Sequence, residues 1–346
     1  MLTGLANGVE ATVAGLHEWL MGAAQGPSGA FWAWCDLSTG QPSFEYPEIT
    51  GYVLTYLAGL ASLSARERAV GERAGSWLIR RFDRGDLSAR DGWDNGTIYL
   101  FDLAVVAAGL LSFGRRIHAE RPVESGLRLV ALLRRALVED PTFSPTSSRS
   151  SASERRAWST HGRAHLAKIV QALLLGEDDS DRGATRLIEH VKSLQHDDGR
   201  IETGPEPETM LHPHLYAAEG LWIWGTARGD RDALERARAA VTWAWKEQLP
   251  TGGLPRSAAS AAPVEQSDVT AQALRLALVL GMESADIDQA VARLTGLTRG
   301  LAENYGIVYQ PAAARAHVNT CATLFAAQAL ASAVPGAPPL PWYHLV

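Results

Sequence analysis

The chain has 346 residues, of which 46% are hydrophobic, and its 32 Lys and Arg against 38 Asp and Glu give a formal charge of −6. That balance excludes a general nucleic-acid binder, and Arg, His or Gly breaks every apolar run before the roughly 18 residues a membrane span needs. Cys35 and Cys321 are too few for a disulfide framework or a Cys-rich zinc site, and the opening MLTGLANGVEATVAGLHEWL has no basic region ahead of its apolar positions. No secretory signal is expected, and the cytoplasm is the default location.

One pattern recurs along the whole chain: an amphipathic helix, a Gly-rich loop, then a more apolar helix. The second helix of each pair opens near Glu48, Phe101, Thr160, Pro213, Ser267 and Val318, at spacings of 53, 59, 53, 54 and 51 residues. The pattern predicts inner helices over 48–62, 99–113, 160–175, 213–227, 267–281 and 318–332. Segments 65–81, 181–195 and 231–248 place apolar residues at i, i+3/i+4 and i+7 with charges opposite, which predicts outer helices with one wet face. Repeats of this length bury their apolar faces only by stacking on neighbours. Six pairs suffice to close a ring, so the expectation is an all-α (α/α)6 toroid in one domain spanning 1–346. A closed ring also brings Cys35 near Cys321, although a reducing cytosol disfavours a bridge.

Loops leading into the inner helices are long and rich in Trp, Tyr and charge, as in FWAWCDLSTGQPSFEY (31–46) and DGWDNGTIY (91–99). Loops leaving them, such as ASLSARER, are short and plain. Function is therefore expected at the end where the inner helices begin.

The segments PEITGY, LHPHLYAAEGL, QLPTGGLP, SDVTAQALR and NTCATLFAAQAL resemble repeat signatures of the α/α-toroid superfamily. It includes terpenoid cyclases, prenyltransferase β-subunits and bacterial toroids of polysaccharide or specialised-metabolite biosynthesis, and the last group is the nearest match. Gln195 to Gly199 and Gln248 to Gly252 are similar to the Gln-plus-Gly repeat of triterpene cyclases. The resemblance implies a fold and leaves the reaction open, because toroids host unrelated chemistries.

Departures narrow the choice. No Asp-x-Asp-Asp acid motif is present, and Glu177-Asp178-Asp179-Ser180-Asp181 reads as a solvated turn. Asn319 stands where a prenyltransferase-like zinc site has Asp, and of a lanthionine-cyclase Cys-His-Gly run only His161-Gly162 remains. No metal and no cofactor are expected.

Parallel inner helices bring their first turns together. Glu48, Asp102, His161, Lys168, His214, Glu219 and Asp268 are the candidate catalytic residues. Candidates for substrate binding are Trp34, Tyr52, Asn95, His165, His212, Tyr216, Gln272, Arg275, His317 and Asn319. Charged groups on otherwise apolar helices are costly unless paired or facing a shared polar cavity. Blander roles compete: Glu48, Asp102 and Asp268 suit a helix dipole, Lys168 suits a buried ion pair, and Cys321 suits a small core position.

Three functions remain open. The first is a small-molecule biosynthetic enzyme acting by acid–base chemistry on an anionic substrate cradled by helix N-termini, Arg275 and Lys168. Elimination or intramolecular cyclisation, such as aziridine-type ring closure with loss of sulfate or phosphate, fits those groups. A sugar epimerase, lyase or hydrolase of polysaccharide metabolism is the second. The third is a non-catalytic ligand-binding or scaffold toroid with a partner subunit. Presentation of the substrate by a carrier protein also stays open, and neither nucleic acid nor membrane is an expected partner.

Overall fold

The computed structural model describes residues 2–86, 98–140, 146–147, 163–177, 182–203, 208–301 and 304–346. Within them twelve α-helices alternate between two rings. The outer ring holds α1 (Leu2–Leu20), α3 (Ala65–Asp83), α5 (Glu120–Glu139), α7 (Arg182–Ser193), α9 (Arg231–Trp245) and α11 (Ala285–Gly296). The inner ring holds α2 (Pro47–Ala58), α4 (Leu100–Arg116), α6 (Val170–Leu175), α8 (Leu211–Arg228), α10 (Ser267–Val279) and α12 (Thr320–Ala333). Each inner helix packs on the next, and α12 returns to α2, so the ring closes. Every residue of α2 is buried, whereas α3 buries only one stripe, including Val70, Ala74, Trp77 and Leu78. The fold is an all-α toroid.

Local chemistry sets the helix ends. Ser64 and Glu67 form a reciprocal capping box on α3, Asp230 caps α9, and Pro47 pre-sets the first turn of α2. Small residues set the inner-ring spacing: a Cβ on Gly109 would lie 2.2 Å from the carbonyl oxygen of Gly51, so α2 and α4 meet backbone to backbone. The third inner helix differs from expectation, because it begins as a 3-10 helix at Ala164–Ile169 before becoming α6. Residues 160–162, where it was expected to start, lie outside the described residues.

Loops entering the inner helices carry short ladders that periodicity did not reveal. β1 (Trp34–Asp36) pairs antiparallel with β6 (His317–Asn319), β2 (Ile98–Tyr99) with β3 (Thr146–Ser147), and β4 (Thr298–Leu301) with β5 (Asn304–Ile307). The first ladder joins the first repeat to the last, which is how the chain seals its ring. Cys35 and Cys321 are both free thiols.

A glutamine clamp recurs in three of these loops. The Nε2 of Gln25 donates to Gly29 and Val70, that of Gln195 to Gly199 and Arg236, and that of Gln248 to Gly252 and Asp286, all backbone carbonyls at 2.9–3.1 Å. Each clamp ties its loop to the next outer helix. Gly29, Gly199 and Gly252 have φ of 102°, 99° and 87°, and a Cβ there would collide with the same outer helix. At the opposite end of the ring, the 3-10 turn Trp342–His344 leads Leu345 and Val346 into the core, both 0% exposed. No helix among the described residues is long and apolar enough to cross a membrane.

Candidate active site

A second recurring bond fixes the rotation of the inner helices. Thr50, Thr270 and Thr323 each accept, through Oγ1, the backbone N–H of a loop residue: Phe31 at 3.0 Å, Leu254 at 2.8 Å and Ile307 at 3.0 Å. His214 occupies the same position in α8, its Nδ1 accepting from Ile201 N at 3.2 Å and its Nε2 donating to Ala240 O at 2.9 Å. One ring nitrogen meets the preceding loop and the other the outer helix α9, and burial lowers its pKa to about 4, which keeps the imidazole neutral. The expectation of a catalytic His214 is therefore corrected: the residue is a clamp, fully buried and turned away from the axis.

With the clamps outward, the residues two before and two or five after them point to the axis, as helical geometry requires. Two before come Glu48, His212, Asp268 and Cys321. His212 Nδ1 lies 3.6 Å from Asp268 Oδ2, within ion-pair reach but longer than a hydrogen bond. From the neighbouring helices His165 and Phe101 approach the same level, their rings 5.8 Å apart, and Phe101 lies 4.6 Å from Tyr216. Burial, then the nearby His212, lowers the His165 pKa to about 4. Its Nε2 is buried without a hydrogen-bond partner. Cys321 is largely buried on this wall, and burial followed by Glu48 and Asp268 raises its thiol well above the ordinary range.

Two residues after the clamps stand Tyr52, Tyr216, Gln272 and Phe325. The Tyr52 hydroxyl donates to that of Tyr216 at 3.1 Å, and Phe325 packs edge-on to both rings. Gln272 is 0% exposed, with neither amide atom partnered. Five residues after the clamps, Glu219, Arg275 and Gln328 meet. Lys168 Nζ lies 2.9 Å from Glu219 Oε2, Arg275 binds the other Glu219 oxygen, and Arg275 Nη1 donates to Gln328 Oε1 at 3.2 Å. Arg275 also sits over the Phe325 ring, 4.4 Å from its centroid. Burial lowers the Lys168 pKa to about 8 against the opposing pull of Glu219. Below this triad the segment Trp342–Val346 is held against the ring: Lys168 and Gln171 donate to Leu345 O, and Gln328 to His344 O.

The rim is built by the loops. Trp34 packs on Phe44 and His317, and Tyr309 stacks on His317 at 5.2 Å. The Tyr46 hydroxyl donates to Asp102 Oδ2 at 3.3 Å. Asn319 caps α12, its Oδ1 accepting from Ala322 N, so its side chain serves the helix rather than the pocket. His161 and Asn95 lie outside the described residues. Lys168 and Arg275 are committed to Glu219, which removes them from the anion cradle that their positions suggested. Tyr46, Phe101, Tyr309, Cys321 and Phe325 were missed as wall residues. Aligning the helices on Thr50, His214, Thr270 and Thr323 would have found Cys321 and Phe325, which hold the same offsets as Glu48 and Tyr52. Among the described residues no group of three or more His, Cys, Asp and Glu side chains is placed to hold a metal ion.

The architecture is that of an α/α toroid. Solved structures agree over nearly the full length: a sugar epimerase from a ruminal bacterium (TM-score 0.72, 9% identity, 95% of this chain and 98% of that one) and a heparin-specific unsaturated glucuronyl hydrolase (0.68, 12%, 95% and 96%). A type II terpene cyclase from Scytonema is similar at TM-score 0.63 and 17% identity, covering 97% of this chain and 99% of that one. At such identities the likeness establishes the fold alone. No family model and no curated protein matches the sequence.

Proposed function

We propose that the protein is a cofactor-independent enzyme that performs acid–base chemistry on a small metabolite in the axial pocket. The observation that carries this reading is the first-turn layer, where Glu48, His165, His212, Asp268 and Cys321, distant in sequence, share one wall above the Tyr52–Tyr216 hydroxyl pair. His212 is the base, with Asp268 beside it to stabilise the imidazolium formed when it takes a proton. The tyrosine pair supplies a hydroxyl donor to the developing charge on a leaving or carbonyl oxygen. Near-complete burial of Glu48, His165, Tyr216 and Asp268 makes the pocket narrow, which suits a small substrate over a long polymer. Elimination or intramolecular cyclisation is the reaction class these groups serve best.

A sugar epimerase or hydrolase is the second reading. It is favoured by the aromatic faces of Phe101, Tyr216 and Phe325 beside carboxylates, and the solved toroids above include proteins of that kind.

Untargeted mass spectrometry of a metabolite extract incubated with the protein tests both. Wild type should consume at least one compound, while folded His212→Ala and Asp268→Asn proteins should do so at least about 100-fold more slowly. Turnover indifferent to both substitutions, or none at all, would remove the catalytic reading and leave a ligand-binding toroid.

A further inference from the structure

Among the described residues three glutamines lie within inner helices, and two of them are engaged. Gln171 donates to the Trp342 and Leu345 carbonyls, and Gln328 donates to His344 O while accepting from Arg275 and Val346 N. Gln272 is the exception: it is 0% exposed, and neither its amide nitrogen nor its amide oxygen has a hydrogen-bond partner. A buried amide in that state costs stability that a methionine of similar length would not, unless a bound group completes it. The repeat defines its place. Gln272 stands two residues after Thr270, the offset that Tyr216 has from His214 and Phe325 from Thr323, and α10 packs against both α8 and α12. The rings of Tyr216 and Phe325 meet at this level, 6.3 Å between centroids. Asp268 lies one turn nearer the rim on the same face of α10, and Arg275 one turn deeper, bound to Glu219. Two more buried atoms without hydrogen-bond partners, His165 Nε2 and His212 Nδ1, lie toward the rim from it.

A side-chain amide presents an N–H and a C=O side by side in one plane. A carboxylate would accept from the nitrogen and leave the oxygen orphaned, and an ammonium would do the opposite. A second amide edge satisfies both atoms at once, and its flat group suits a narrow layer between aromatic rings better than a tetrahedral diol does. We propose that Gln272 is a specificity residue that reads a neutral amide edge of the substrate, a carboxamide, lactam or ureide, through two antiparallel N–H···O bonds. The rotatable bonds of its side chain let the amide turn toward the rim to meet that group. Two neutral hydrogen bonds, rather than the charge of the surrounding walls, carry the recognition. The inference rests on the catalytic reading of the axial pocket and deepens it by naming one group of the substrate.

Gln272→Met keeps the length of the side chain and removes both orphaned atoms. If the amide serves a ligand and not the scaffold, the variant should melt about 1–3 °C higher than wild type by calorimetry in ligand-free buffer. Butyramide, 1,2-butanediol and sodium butyrate, alike in chain length, are the probes, with binding followed by saturation-transfer NMR at matched ionic strength. Wild type should bind butyramide saturably and neither of the others, and Gln272→Met should raise the butyramide midpoint at least about 10-fold. Gln272→Leu repeats both readings should the methionine protein fail to fold. A lower melting temperature in both variants would show that the amide serves the scaffold and would overturn the inference. Butyramide binding that is absent, or unchanged by the substitution, overturns it as well, and so does binding of the diol or the carboxylate that the substitution abolishes. Amide binding in a protein that turns over nothing would keep this inference and remove the catalytic one. Turnover of a substrate without an amide, indifferent to Gln272→Met, would do the reverse.

Discussion

His214→Thr is the substitution that best separates scaffold from chemistry, because it converts the odd clamp into the residue found at the other three. Threonine at 214 keeps an acceptor for Ile201 N–H but loses the bond to Ala240 O and part of the ring's volume. An orphaned carbonyl and a small void should cost about 2–3 kcal/mol at pH 8. Acid changes the comparison. The unfolded histidine takes a proton below about pH 6.5, whereas the folded one waits until about 4, so acid favours unfolding across that window. Stability from the buried neutral ring is complete above pH 6.5 and is lost as pH falls. At pH 5 the wild type should have lost about 2 kcal/mol through this residue, and the threonine variant nothing. His165 titrates in the same window but is present in both proteins and cancels. Urea unfolding at pH 8 and pH 5 measures the two differences, and the gap between the proteins should shrink to less than about 1 kcal/mol at pH 5. A gap that stays constant would show that His214 is not held neutral by burial, and the outward clamp would lose its basis.

Other expectations follow from the layers. Glu219→Gln leaves Lys168 and Arg275 buried beside a neutral amide, which should cost about 3–5 kcal/mol and lower the melting temperature by about 4–7 °C in a chain of this size, read by calorimetry. Gln195→Ala removes the bond to Gly199 that shapes its loop and the bond to Arg236 that ties it to α9, and should cost about 1–3 kcal/mol, with faster amide exchange at 196–201. His212→Ala, at a half-buried position with no hydrogen bond to the scaffold among the described residues, should shift the melting temperature by less than about 2 °C while slowing turnover at least about 100-fold.

Much of the fold is legible in the sequence because helical periodicity and spacing act locally. A stripe such as that of α3 needs a partner wherever it sits, and six such units have few ways to bury their faces. The third inner helix is less legible. Its start depends on how Arg163 to Ile169 fit between α4 and α8, and a 3-10 turn there is a tertiary outcome. The site divides likewise. Charges on apolar helices singled out Glu48, Asp268, Lys168, Glu219 and Arg275, all of them buried, yet residue type alone could not tell a pair from a cradle. Whether Arg275 meets substrate or Glu219 depends on the rotation of α8 against α10, set by contacts 50 residues or more apart. His214 misled for a related reason: an imidazole can do the work of a threonine hydroxyl, and only its place in the repeat shows that it does. Asn319 follows a simpler rule, being a favoured cap residue at a helix start.

Trp342 to Val346 are tied to the deepest layer of the ring through shared side chains. Lys168 holds Glu219 and the Leu345 carbonyl at once, and Gln328 holds Arg275 and the His344 carbonyl. The buried charges and this segment therefore stand or fall as one unit: a substitution that unseats the segment withdraws a partner from Lys168 and Gln328 together.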